Sequence, residues 1–119
     1  MFYKRLESFR YAFGTPPEIQ LQIRNLPTAD SMNLTIYGLL LDISPKGAKI
    51  FVEKERTVLQ EMMKLKFVLN HEIITVEAKL IWKKPCEEGW LYGANFERSL
   101  IKEMLIVNEI KELKEIESN

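Results

Sequence analysis

The sequence predicts a mainly β fold, a small six-stranded antiparallel barrel followed by one C-terminal α-helix. Two observations carry this. Between residues 18 and 97, short segments rich in β-branched and aromatic residues alternate apolar with polar positions, broken by Pro, Gly and Asn turn signals. From Ser99 onward the apolar residues recur at three- and four-residue steps, the period of a helix. Closure into a barrel is the economical arrangement for six such strands, because it leaves no sheet edge exposed. At 119 residues, 46% of them hydrophobic, the chain is one domain with material for a core. It divides into an N-terminal arm at 1–17, the barrel at 18–97 and the helix at 98–119.

In chain order, the arm interleaves Phe2, Tyr3, Phe9, Tyr11 and Phe13 with Lys4, Arg5 and Arg10. Aromatic faces and guanidinium planes both stack on nucleobases, so this is either a nucleotide-stacking arm or a packed segment with a solvated basic side. Gly14–Thr15–Pro16–Pro17 ends it. Ile19, Leu21 and Ile23 alternate with polar residues as in a half-buried strand, and 25–33 reads as a loop. Thr35 to Ile43 and Ala48 to Val52 are the next two strands, with a turn forced by Pro45 and Gly47 between them. The charged segment 53–61 has room for a short helical turn. Lys64–Leu69 and Glu72–Lys83 pair across Asn70–His71, read as a two-residue hairpin turn, with Ile74, Val76, Ala78, Leu80 and Trp82 on one face of the second arm. Pro85 to Gly89 is a turn and Leu91–Phe96 the sixth strand. Ser99 is the expected N-cap of the helix, whose apolar side reads as Leu100, Ile101, Met104, Val107, Ile110, Leu113 and Ile116. The helix either covers the open end of the barrel or meets a second copy. The 4–3 step of Ile106, Ile110 and Leu113 is a short coiled-coil seam if it dimerises.

Composition excludes several functions. Lys plus Arg balances Asp plus Glu at 17 each, which argues against a nucleic-acid binder that relies on a basic surface. Basic charge is nevertheless concentrated in the arm, where an anionic ligand would go. The single cysteine, Cys86, forms no intrachain disulfide and no cysteine metal cluster. The lone His71 has no second metal-ligating or catalytic partner at useful spacing. No catalytic grouping and no phosphate-binding P-loop is present, so no enzyme activity and no cofactor are expected. No apolar run reaches the roughly 18–20 residues that span a bilayer, and Met1–Arg5 lacks the apolar core of a signal peptide. A cytoplasmic location without membrane insertion is expected.

The residues that carry chemistry are Asp42, Ser44 and Gly47. Asp42 and Ser44 stand two apart on a strand and share a face, offering a carboxylate and a hydroxyl to a ligand with N–H donors, beside a glycine turn. Taken with Arg10 and the late Tyr92–Gly93–Ala94–Asn95–Phe96 strand, this Asp-x-Ser-x-x-Gly stretch resembles the PilZ domain, a bacterial receptor module for the second messenger cyclic di-GMP. The family also has an Arg-x-x-x-Arg before its first strand. Here Arg10 stands at the second arginine, the position four earlier is Leu6, and the nearest arginine is Arg5. The resemblance implies a PilZ-like barrel in which Arg5 and Arg10 clamp the dinucleotide from the arm, Asp42 and Ser44 meet a guanine edge, and Gly47 permits close backbone approach. It further implies that ligand binding orders the arm and presents a new surface to an effector protein. Lys4, Lys46 and Lys49 add charge near such a site. The alternative is a degenerate PilZ-like interaction module that has lost the ligand, with homodimerisation through the C-terminal helix.

Overall fold

The computed structural model describes residues 10–23, 34–55 and 61–118. Lys4, Arg5, Leu6, the expected loop at 25–33 and the centre of the 53–61 segment lie outside the described residues. The elements are β1 (Tyr11–Ala12), β2 (Glu18–Ile23), β3 (Leu34–Ser44), β4 (Gly47–Val52), β5 (Met62–Val68), β6 (Ile73–Cys86), β7 (Gly89–Phe96) and helix α1 (Leu100–Ser118). All strand pairings are antiparallel. Strands β2 to β7 form the closed six-stranded barrel, in the order β3-β2-β5-β6-β7-β4 with β4 returning to β3.

Strand β3 makes closure possible because it is long enough to serve two neighbours. Leu34–Leu39 pairs with β2, and Leu39–Ser44 pairs with β4 on the opposite edge. Where β2 ends, β1 takes over the same edge, with Tyr11 opposite Ile43 and Ala12 opposite Asp42. The N–H of Phe13 donates to the Leu41 carbonyl at 3.0 Å and that of Leu40 to the Pro17 carbonyl at 2.8 Å. Gly14–Pro16 therefore loops out of an otherwise continuous edge. The end of the arm is thus a seventh strand, and Tyr11 is buried.

Alternation places Ile19, Leu21 and Ile23 inward, facing Met63, Leu65 and Phe67 of β5 and Ile74, Val76 and Ala78 of β6. Two bulges break the phase. In β3 the inward positions are Ile36, Gly38 and Leu40, then Ile43, because the register with β4 slips between Leu40 and Asp42. In β6 Leu80 is inward, but the register with β7 slips between Leu80 and Trp82. Each extra residue reverses which face the following side chains take. Trp82, expected on the core face with Leu80, is turned to the outside and is 39% exposed.

Two turns also differ from expectation. The last β5–β6 pair is Val68 with Ile73, so the hairpin loop is the four residues Leu69–Glu72 rather than Asn70–His71. Strand β6 runs through Pro85, which pairs with Trp90, and turns at Glu87–Glu88. Proline is tolerated there because β5 pairs only as far as Lys79, leaving that edge of β6 without a β5 partner.

Helix α1 starts as the sequence implies. The Ser99 hydroxyl accepts the Lys102 N–H at 3.3 Å, and the Glu103 carboxylate accepts the Ser99 N–H at 3.3 Å. Its docking stripe is shifted from the expected one. Ile106 and Ile110 are fully buried and Leu113 partly so, whereas Leu100, Ile101, Met104 and Ile116 are exposed. The Ile106–Ile110–Leu113 step is therefore used on the chain's own barrel, where a fully buried isoleucine is worth about 1.5–3 kcal/mol. The shift follows from Glu109, which lies in the same stripe and is 4% exposed. Its Oε1 accepts the backbone N–H groups of Asn70, His71 and Glu72 at 3.2, 2.9 and 3.0 Å, and this holds the hairpin loop open around the carboxylate. Burial pushes the Glu109 carboxyl up, but the three amide bonds and His71 outweigh it and leave it below its ordinary value. At the far end of the helix the Tyr11 hydroxyl donates to Glu117, tying α1 to β1.

Candidate functional site

The two bulges bring one row of outward positions across five strands. In order these are Ala12, Asp42, Lys49, Gly93 and Trp82, each paired with the next. The adjacent outward row reads Ser44, Gly47, Asn95 and Lys79, with Arg10 entering beside it from β1. Together they frame a cleft of about 250 Å³ lined by residues that include Arg10, Ser44, Lys46, Lys49, Trp82 and Asn95. That is slightly below the roughly 300–1,000 Å³ of enclosed small-molecule pockets.

Glycine is required at two places in this wall. A Cβ on Gly93 would lie 2.0 Å from Nε1 of Trp82, so the indole lies directly over the Gly93 backbone. A Cβ on Gly47 would lie 2.5 Å from the Ala94 carbonyl oxygen. Gly47 does not take a left-handed backbone. Its requirement is the close approach of β7. The turn itself, Pro45–Lys46, is held by Ser44, whose Oγ accepts the Lys46 N–H and donates to the Gly47 carbonyl, both at 3.4 Å.

Charge in the cleft is cationic around one carboxylate. Arg10 Nη1 is 3.3 Å from Asp42 Oδ1, and Lys49 Nζ is 3.8 Å from Asp42 Oδ2. The Arg10 side chain is 61% exposed and that of Asp42 13%. Two cations, Arg10 and Lys49, thus flank Asp42, and Lys46 lines the same cleft, an arrangement suited to an anionic ligand that also offers N–H donors.

Of the sequence-derived site residues, the structure brings Arg10, just before β1, together with Asp42 and Ser44 of β3 and Gly47 of β4. Arg5 lies outside the described residues. Sequence reasoning missed Trp82, Gly93 and Asn95 as members of this wall. A signal for the first two was present: a cross-strand Trp–Gly pair is a common way for an aromatic ring to cover a glycine, but it depends on a register that the bulge sets. Among the described residues no group of acidic, His and Cys side chains is arranged to hold a metal ion, and no helix is long and apolar enough to cross a membrane.

The sequence pattern of the PilZ domain matches residues 4–112. The chain belongs to the PilZ domain family. Solved structures agree with the fold. YcgR from Escherichia coli in complex with c-di-GMP superposes with a TM-score of 0.69 at 18% identity, covering 92% of this chain and 46% of that one. The separate PilZ domain of YcgR with c-di-GMP gives 0.65 at 20% identity, covering 89% and 88%. The Bacillus subtilis inhibitor of motility MotI/DgrA gives 0.66 at 15% identity, covering 88% and 49%. The chain spans about half the length of full YcgR and of MotI. No curated protein matches it by sequence.

Proposed function

We propose that this PilZ domain is a non-catalytic receptor module for cyclic di-GMP, acting in the bacterial cytoplasm and passing the signal to an effector protein. The observation that carries the reading is Arg10 standing 3.3 Å from Asp42 at the cleft, which joins the arginine of the arm to the carboxylate of the Asp-x-Ser-x-x-Gly stretch. The chemistry fits the ligand. A guanine edge presents N–H donors to Asp42 and acceptors to Arg10, the exposed face of Trp82 offers a stacking surface, and Lys46 and Lys49 suit the phosphates. Arg5 adds a second guanidinium from the arm. Binding orders the residues upstream of Arg10 over the cleft, coupling ligand to shape. That PilZ structures of YcgR were solved with c-di-GMP supports the same ligand here.

Calorimetric titration with cyclic di-GMP tests this. Wild type gives a saturable isotherm, and Arg10→Ala and Asp42→Ala each weaken it about ten-fold or more, since one such bidentate contact is worth ~1–3 kcal/mol. A folded wild-type chain that takes up no heat at tens of micromolar protein overturns the reading.

A second reading, a protein-interaction module without the ligand, is favoured by Leu6 at the first arginine position and by the exposed Leu100, Ile101 and Met104 at the start of α1. It predicts that Leu6→Arg creates binding where wild type has none. It also predicts that Ile101→Asp together with Met104→Asp abolishes any self-association seen by sedimentation.

A further inference from the structure

We infer that Lys49 is a positioning residue that changes partner: it pairs with Asp42 as seen here and moves to a ligand phosphate once Asp42 is taken by the guanine. The inference rests on the cyclic di-GMP reading and goes beyond it, because Lys49 belongs to neither the arginine motif nor the Asp-x-Ser-x-x-Gly stretch. Four observations lead to it. The slip after Leu40 sets Lys49 directly opposite Asp42 on the outer face, so the pair is built by the register. The contact is loose, 3.8 Å to Oδ2, with the lysine side chain 41% exposed, and an ion pair with one well-solvated partner at this distance holds weakly. Asp42 is already matched by Arg10 on its other oxygen, so Lys49 is the surplus cation. The neighbour on its far side is Gly93 with the Trp82 ring above it, so an ammonium leaving Asp42 moves into the cleft itself.

In this structure the two cations, one on each oxygen, orient the carboxylate along the wall. When the guanine N–H donors take the carboxylate oxygens, both cations lose their partner. Arg10 finds a replacement on the guanine acceptors or by stacking. Lysine, a point charge on a flexible stem, has no such use for a base edge and is suited to a phosphate oxygen. Its stem is long enough to span from the row of Asp42 to the adjacent row of Ser44 and Gly47 without backbone movement.

The experiment is titration of cyclic di-GMP into wild type, Lys49→Gln, Lys49→Ala and Lys49→Arg, each at low and high salt. Lys49→Gln and Lys49→Ala weaken binding about ten-fold at low salt and flatten the fall of affinity with salt, because one phosphate contact is gone. Lys49→Arg restores both. Unchanged or tighter binding by Lys49→Gln overturns the inference, since the lysine then only competes for Asp42. Weakened binding with an unchanged salt dependence overturns it too, since the lysine then only orients the carboxylate. A wild type that does not bind removes the parent reading as well, and that outcome is distinct because it appears before any variant is compared. Thermal melts of the four proteins, at an exposed position, confirm that folding is constant.

Discussion

Two acidic side chains in this molecule are held in opposite ways. Glu109 is 4% exposed and receives three backbone N–H groups at 2.9 to 3.2 Å. Asp42 faces outward and is matched by two side-chain cations at 3.3 and 3.8 Å. Backbone donors cannot leave, whereas a guanidinium and an ammonium can rotate away. The first carboxylate is therefore a fixed clasp between helix and hairpin, and the second is an exchangeable seat. The difference teaches that a carboxylate's partners, more than its charge, tell whether it serves folding or binding.

The largest effect separating the two is on stability. Glu109→Ala leaves three loop amides without their acceptor and is expected to cost about 2–3 kcal/mol in chemical denaturation. Asp42→Ala is expected to cost less, about 1 kcal/mol, because the partners it leaves, Arg10 and Lys49, are the more exposed side chains of the cluster and stay solvated without it. Equal losses for the two would erase the contrast.

Next in size is Gly93→Ala. The new Cβ must displace the Trp82 indole, with an expected cost of about 1–3 kcal/mol and a change in tryptophan emission. Unchanged emission would mean that the ring does not rest on Gly93.

A smaller effect comes from acid. The Glu109 carboxyl lies below its ordinary value of 4.5 in the folded chain, so its contribution is complete above that value. It is lost as pH falls through the lower folded value. An acid titration of stability should lose this component in Glu109→Gln and keep it in Asp42→Asn.

The smallest is at the alkaline end. The hydrogen bond to Glu117, followed by burial, raises the Tyr11 hydroxyl from 10.0 to about 12. Its stabilising contribution is present below pH 10 and fades as pH rises towards about 12. Tyr11→Phe should remove the late step in an absorbance titration and cost about 1 kcal/mol at neutral pH.

Much of this was legible in the chain. Alternation located all six barrel strands, Ser99 announced the start of the helix, and Asp42, Ser44, Gly47 and Arg10 were recognisable by type and spacing. What escaped was phase. Periodicity assigns Trp82 to the side of Leu80, and only a register slip, which depends on the neighbouring strand, reverses it. Glu109 escaped for a related reason: a glutamate on a charged helix reads as solvated until three loop amides are brought against it. The docking stripe then follows the glutamate rather than the apolar pattern.

The extra residues at Leu41 and Ile81 carry a consequence for how such a wall can be altered. Loss of Leu41 leaves Leu40 followed directly by Asp42, and loss of Ile81 leaves Leu80 followed directly by Trp82, so plain alternation then keeps the carboxylate, the hydroxyl and the indole on the outer face. These two points can therefore be shortened by one codon without inverting the wall. The same deletion elsewhere in β3 or β6 flips the side chains on one side of the cut, so a library of in-frame deletions across the two strands should keep its soluble yield best at Leu41 and Ile81.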